Sequence, residues 1–363
     1  LPAPGRQLPD FPWDLLAPFG QRAAQHPAGI VDLSVGTPVD PTPEAIQAAL
    51  RGAANAPGYP TTAGTEQLRS ACAGWMHRRL GAHVETSAVL PTVGSKEFIA
   101  LLPTVLGLGQ RSHVVIPAIA YPTYAVSAAM VGARITATDE VEDVHDADLI
   151  WINSPSNPTG AVLDAQRLRS IVAHARATGA LLISDECYIE LAWQGQPVSI
   201  LHPSICGDTH DGILAVHSLS KRSNLAGYRF GFAAGDPELI GRLLAVRKHL
   251  GLMVPTPVQQ AAVAAYADDD AVAEQVECYR ARRDVLRLAL EQAGFTIDHG
   301  QAGLYLWATD GQDCWTTVQW FAERGILVTP GQFYGPAGAR HVRVAFTASD
   351  AAVAQFAARL ASG

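Results

Sequence analysis

The sequence predicts an α/β protein built on a mostly parallel sheet with helices on both faces, joined to a smaller α+β domain. Three observations predict this. Short apolar runs at residues 114–116, 149–153, 181–184, 213–216 and 230–235 recur between helical stretches. Strands buried on both faces read as such continuous runs, and intervening helices fit the βαβ crossover. The chain has 363 residues, 48% of them hydrophobic and 17% charged, enough for a sizeable core in one large and one small domain. Finally, Asn157, Asp185 and Lys221 lie at or just past the ends of three runs. In open parallel sheets, ligands bind beyond the carboxyl ends of the strands.

Each element follows from its residues. The proline-rich start, with Phe11-Pro12-Trp13-Asp14 inside it, reads as an extended arm, and Trp13 either anchors that arm or lines a pocket. Residues 30–36 alternate apolar and polar and predict a short strand. Gly36 at its end allows close backbone approach. A loop of Thr37-Pro38-Val39-Asp40-Pro41-Thr42 follows, and Pro43 opens a helix to residue 53. Residues 58–64 form a turn-rich loop and 66–80 a helix. From Leu90 another helix begins, with Phe98, Leu101, Leu102 and Leu106 at helical spacing. The Gly94-Ser95 step before it offers free N–H groups to an anion, or a plain serine cap. Beyond the parallel region come helices at 236–250, 258–267 and 268–293. Short strands at 296–298, 304–307, 326–328 and 342–346 then build the small domain. The expected division is a large domain at 45–275, with an N-terminal arm at 1–44 and the small domain at 276–363.

Composition narrows the function. A formal net charge of −8 and no dense Lys/Arg run argue against a nucleic-acid partner and for a small molecule. Five scattered cysteines without a C-x-x-C motif read as reduced thiols in a cytoplasmic protein, with no disulfide frame and no metal site. No apolar run is long enough to span a bilayer, and Leu1-Pro2-Ala3-Pro4-Gly5-Arg6 lacks the pattern of a secretion signal.

The stretch from His217 to Gly231 holds the most informative residues. Lys221 follows an apolar strand and two serines, Ser218 and Ser220, and Arg229 comes eight residues later. A lysine beside hydroxyls and a fixed cation suits imine chemistry on a phosphorylated carbonyl cofactor, because desolvation and nearby positive charge free its amine. Such a cofactor also needs a carboxylate for its ring nitrogen, donors for its phosphate and an aromatic over its ring. The chain has a candidate for each. The motifs Gly94-Ser95-Lys96, Tyr121-Pro122-Thr123-Tyr124, Asn157-Pro158-Thr159-Gly160, Asp185-Glu186-Cys187-Tyr188 and Ser218-Leu219-Ser220-Lys221 with Gly227-Tyr228-Arg229 resemble, in this order, the fold-type I pyridoxal-phosphate aminotransferases of classes I and II. The likeness covers nearly the whole chain.

The resemblance implies an aspartate aminotransferase-like fold, pyridoxal 5'-phosphate as cofactor and a role for each residue. Lys221 binds the cofactor aldehyde and moves the substrate α-proton. Asp185 pairs with the ring nitrogen, Asn157 and Tyr188 with the phenolic oxygen, and Tyr121 stacks on the ring. Ser218, Arg229 and the N–H groups of Ser95 and Lys96 hold the phosphate, with the Lys96 side chain left in solvent; Gly94 and Ser220 complete the cofactor shell. Tyr59 matches a tyrosine that reaches the neighbouring subunit's phosphate, which implies a homodimer. Arg343 matches the arginine that grips the substrate α-carboxylate, with Asn157 beside it and Gly36 opening room for the same group.

The segments around Asp32–Pro43 and Ser220–Gly227 look most like the actinobacterial N-succinyldiaminopimelate aminotransferases of lysine biosynthesis. That likeness implies amino transfer from L-glutamate to N-succinyl-2-amino-6-oxopimelate. The distal end of that acceptor needs a second cation, for which Arg222 is a candidate, as is a role in solvent or the phosphate shell. Alternatives are aminotransferases for aspartate, alanine or aromatic amino acids, or a pyridoxal-phosphate carbon–sulfur lyase.

Overall fold

A computed structural model of the chain describes Leu8 and residues 11–362. The first six residues, read above as lacking a secretion signal, lie outside the described residues. The expected extended arm is instead largely helical from Pro12. A 3₁₀ turn at Pro12–Leu16 runs into α1 (Ala17–Ala24). Apolar contacts explain the difference: Trp13, Leu16 and Phe19 pack onto the second hydrophobic core. Strand β1 (Val31–Asp32) is only two residues long, because Asp32 turns the chain by accepting from Ser34 N at 2.9 Å. Helices α2 (Glu44–Gly52) and α3 (Glu66–Leu80) follow. Thr65 caps α3 by accepting from Leu68 N, and Gly81 ends it at φ 63°.

The large sheet then forms in a βα rhythm. Its elements are β2 (Val89–Thr92), α4 (Ser95–Val105), β3 (His113–Ile116), α5 (Thr123–Val131), β4 (Arg134–Ala137), β5 (Leu149–Asn153), α6 (Ala165–Thr178) and β6 (Leu181–Asp185). After the short α7 (Pro203–Cys206) come β7 (Ile213–Ser218), α8 (Leu219–Arg222), β8 (Gly231–Gly235) and helices α9 (Pro237–Leu250), α10 (Thr256–Ala267) and α11 (Asp269–Gln292). The strand order is β2-β8-β7-β6-β5-β3-β4, with β8 antiparallel to both neighbours and the other pairings parallel. Two elements depart from expectation. Residues 89–92 form a strand rather than the start of a helix, and 134–137 form a strand that the apolar pattern does not announce. Both lie at sheet edges. Pro91 is tolerated in β2 because an edge strand can spare an N–H, and β4 has a mostly exposed surface.

The register brings functional residues level. Asn153 sits opposite Asp185, and Asp185 opposite Val216, two residues before Ser218. The carboxyl ends of β5, β6 and β7 therefore open on one place.

The remaining elements are β9 (Thr296–Asp298), β10 (Tyr305–Thr309), α12 (Cys314–Glu323), β11 (Ile326–Leu327), β12 (Thr329–Pro330), β13 (Val342–Ala345) and α13 (Asp350–Ala361). Strands β12-β13-β10-β9 make an antiparallel sheet, and β1 pairs in parallel with β11. Ala345 N donates to Leu33 O at 2.9 Å, which sets residues 33–36 beside β13. Among the described residues, no helix is long and apolar enough to cross a membrane.

Candidate active site

A cavity of about 480 Å³ opens where the carboxyl ends of the parallel strands meet residues 35–37, Tyr305 and Arg343. That size is ordinary for a small-molecule site. Lys221 enters it from α8, the single helical turn after β7. Ser218 fixes that turn: its Oγ accepts from Ser220 N at 3.1 Å and donates to Ser220 Oγ at 2.9 Å. Lys221 Nζ donates to the carbonyl of Gly36. Burial pushes the Lys221 ammonium below its ordinary pKa; Tyr305 opposes the shift, and Arg343 and Arg229 add to it. An amine so poised can attack a carbonyl or move a proton.

Asp185, 5% exposed, faces the same cavity. Each of its oxygens accepts a hydrogen bond: Oδ1 from Cys187 N at 3.1 Å and Oδ2 from the Tyr124 hydroxyl at 2.7 Å. Burial raises its pKa in spite of these bonds. A buried carboxylate of this kind gains from a positively charged N–H partner. Asn153 braces the loop beside it, donating to the carbonyls of Asp185 and Pro155 and accepting from Asn157 N at 2.7 Å. Tyr121 lines the cavity, edge-on to Tyr124.

An anion cup lies at the start of α4. Its N-cap is Gly94 at φ 78°, which gives the first N–H groups no side-chain partner. A Cβ on Gly94 would sit 2.4 Å from Arg229 Nη2, so glycine lets the guanidinium lie against this helix end. Arg229 is held there by donating from Nη1 to Ala226 O at 2.8 Å. Ser95, Lys96, Ser218 and Ser220 complete the lining. The Lys96 side chain, expected in solvent, is exposed but stands at the cavity wall with Nζ 5.6 Å from the Phe11 ring.

Arg343 is 3% exposed. It donates to Asn157 Oδ1 at 3.0 Å and to Ser34 O at 2.6 Å. Its Nε has no partner, and among the described residues no carboxylate pairs with it. A buried cation without an anion, facing a cavity, calls for an anionic ligand.

The structure thus gathers Gly36, Ser95, Lys96, Tyr121, Asn157, Asp185, Tyr188, Ser218, Ser220, Lys221, Arg229 and Arg343 around one cavity, with Gly94 behind Arg229. It also brings Trp13 there, with its ring 5.5 Å from Phe333, so this residue both anchors the arm and lines the cavity. Tyr59 is 96% exposed and lies outside the cavity. Arg222 is a correction. It turns away from the cavity, pairs with buried Glu190 and lies over the rings of Trp75 and Tyr266. The helical turn that points Lys221 inward points its neighbour into the core. Sequence reasoning missed Tyr124, Asn153, Cys187 and Tyr305. Tyr124 stands within one of the motifs, but nothing in the spacing distinguishes the tyrosine that meets Asp185.

The sequence profile of the class I and II aminotransferases matches residues 28–360. The chain belongs to this family. Two relatives agree with the assignment. This aminotransferase is 56% identical over 357 residues to the 4-dedimethylamino-4-oxo-anhydrotetracycline transaminase OxyQ of Streptomyces rimosus, covering 98% of this chain and 99% of the relative. It is 55% identical to a probable aminotransferase of Mycobacterium tuberculosis, covering 97% and 85%. Among solved structures, a probable N-succinyldiaminopimelate aminotransferase of Thermus thermophilus superposes with a TM-score of 0.88 at 27% identity, over 97% of this chain and all of the other. The fold is that of the aspartate aminotransferase-like transferases and the cofactor is pyridoxal phosphate. The residues present fit that cofactor: a buried amine, a buried carboxylate for a ring N–H, and an uncapped helix start beside an arginine.

Proposed function

We propose that this aminotransferase moves the amino group of L-glutamate to an oxo acid carrying a second, distal carboxylate, with N-succinyl-2-amino-6-oxopimelate as the acceptor. One observation carries the reading of the acceptor. Lys96, Lys221, Arg229 and Arg343 are the lysines and arginines lining the cavity. Lys221 serves the chemistry, Arg229 the phosphate and Arg343 the α-carboxylate. Lys96 is left, with a π contact to Phe11 and no ion pair among the described residues. A flexible lysine at the wall suits the far carboxylate of a long substrate. The Thermus thermophilus neighbour, a probable N-succinyldiaminopimelate aminotransferase, supports the same acceptor class.

Pyridoxal phosphate, when bound, supplies the carbonyl that takes up the amino group and the ring that draws electrons from the reacting carbon. The α4 start, Ser218 and Arg229 would hold its phosphate, Asp185 would keep its ring nitrogen protonated, and Asn157 and Tyr188 would bond its phenolic oxygen. Arg343 fixes the substrate by its α-carboxylate, which leaves the α-carbon within reach of Lys221. Lys221 Nζ, whose charged form burial disfavours, takes the α-proton and later gives a proton back. Tyr59, an aromatic left 96% exposed, reaches a second subunit in a homodimer.

A second reading has its own support. Phe11, Trp13, Tyr121 and Tyr305 give the cavity aromatic walls, and the OxyQ relative is named for a polycyclic ketone. An acceptor panel with glutamate as donor separates the two. Highest kcat/KM with N-succinyl-2-amino-6-oxopimelate supports the first; highest kcat/KM with a polycyclic ketone overturns it. A monomer in sedimentation equilibrium would refute the role of Tyr59.

A further inference from the structure

Arg343 keeps its charge in a place that should discourage it. The guanidinium is buried without a carboxylate partner, and two neutral oxygens take its hydrogen bonds. Removing an ion from water without a counter-charge is costly. The nearest compensation is aromatic. The guanidinium carbon lies 4.0 Å from the centre of the Tyr305 ring and 5.1 Å from that of Tyr334. A desolvated guanidinium over a ring face is well stabilised.

Tyr305 is built to stay there. In the β10–β13 register it pairs with Ala345, which makes Arg343 its diagonal neighbour, two residues along, on the same sheet face. The side chain is 4% exposed. Its hydroxyl lies 3.2 Å from the Tyr188 hydroxyl, and a Cβ on Gly36 would come within 2.3 Å of it. Glycine at 36 therefore makes room for Tyr305 as well as exposing a carbonyl to Lys221.

We propose that Tyr305 is a positioning and specificity residue that holds Arg343 charged and oriented without occupying its carboxylate-binding edge. An acidic side chain there would stabilise the arginine equally well but would fill the fork that a substrate must enter. A ring face compensates the charge from above and takes up none of the in-plane N–H groups. Selectivity for substrates with a carboxylate beside the reacting carbon then depends on an aromatic ring at 305. The proposal rests on the reading that Arg343 receives that carboxylate.

The test uses the holoenzyme and calorimetric titration with 3-phenylpropanoate and its neutral analogue, 3-phenylpropanamide. Tyr305→Leu weakens the carboxylate about tenfold and leaves the amide unchanged, whereas Tyr305→Phe keeps both within about twofold of the parent. Tyr305→Met, an unbranched replacement of similar reach, is titrated in parallel, so that a folding failure of one variant leaves the other to decide. A purely structural role would weaken both ligands together, and that outcome overturns the proposal. So does a tenfold loss in Tyr305→Phe. Arg343→Met tests the underlying reading separately: undiminished carboxylate binding in that variant sinks it, whatever the Tyr305 variants do.

Discussion

Tyr124 donates its hydroxyl proton to Asp185 Oδ2 at 2.7 Å, inside the core and beneath the cofactor cavity. The bond ties α5 to the end of β6 and stabilises the ionised form of the carboxylate proposed to pair with the ring nitrogen. Tyr124→Phe removes the donor, so the Asp185 pKa rises further. A hydrogen bond to a buried charged group contributes about 1.5–3 kcal/mol. Affinity for pyridoxal phosphate falls roughly tenfold or more and kcat falls with it, checked by equilibrium dialysis and steady-state rates.

Lys221→Ala abolishes turnover and leaves the fold in place, because among the described residues the hydrogen bond of Nζ is to the Gly36 carbonyl at the cavity wall and to no core group. Its melting temperature stays within a few degrees of the parent by calorimetry. Full activity would end the proposed mechanism.

Arg222 and Glu190 form an ion pair at 4% and 5% side-chain exposure. Arg222→Met leaves Glu190 with its partly exposed partner Arg79 alone. Breaking a buried pair costs about 3–5 kcal/mol, and the surviving Arg79 contact places this case at the lower end. Chemical denaturation reads the loss, and Arg222→Met with Glu190→Gln recovers part of it. KM for the oxo acid stays unchanged, since Arg222 faces the core; a selective rise for long dicarboxylates would return Arg222 to substrate recognition.

Much of this site is legible in the sequence because a parallel sheet is simple to read. Central strands must be apolar on both faces, so β5, β6 and β7 announce themselves, and polar residues at their ends mark the cavity mouth. The edges are less readable. β4 is largely exposed and β2 contains Pro91, so neither carries the two-faced apolar signal. Tyr305 is hidden for another reason. It sits in an ordinary apolar run, and only the antiparallel register places it under Arg343. Arg222 fails as a substrate residue because direction around a helical turn, not adjacency to Lys221, decides what it faces.

Lys96→Met raises KM for N-succinyl-2-amino-6-oxopimelate roughly tenfold, the scale expected when one charge-assisted hydrogen bond is removed. KM for pyruvate, which has no distal carboxylate, stays within about twofold. Equal effects on both acceptors would remove Lys96 from substrate recognition.

Glu186 and His217 form a second buried pair, 3.6 Å apart, at 1% and 2% side-chain exposure. Burial pushes the Glu186 carboxyl up to about 7 and the His217 imidazole down to about 3, so both are neutral in the fold near pH 6. The raised carboxyl contributes fully below its ordinary value near 4.5, and that contribution is lost as pH rises through about 7. The lowered imidazole acts in the opposite sense: its contribution is full above about 6.5 and is lost as pH falls towards 3. Glu186→Gln therefore gains stability relative to the parent between pH 5 and pH 8, by on the order of 3 kcal/mol in total. Calorimetry at the two pH values checks it; an equal offset at both would refute the assignment.

The two residues of β1 find their partners in Ile326 and Leu327. A ribosome delivers β1 long before those partners, with the whole large sheet made in between. The segment after β1, which carries Gly36 and the carbonyl of Ser34 that receives Arg343, cannot take its bonds to residues 327, 343 and 345 until those residues are made. An early-made part of the pocket thus depends on late-made partners. Substrate recognition is withheld from every nascent chain until the strands of the small domain have emerged.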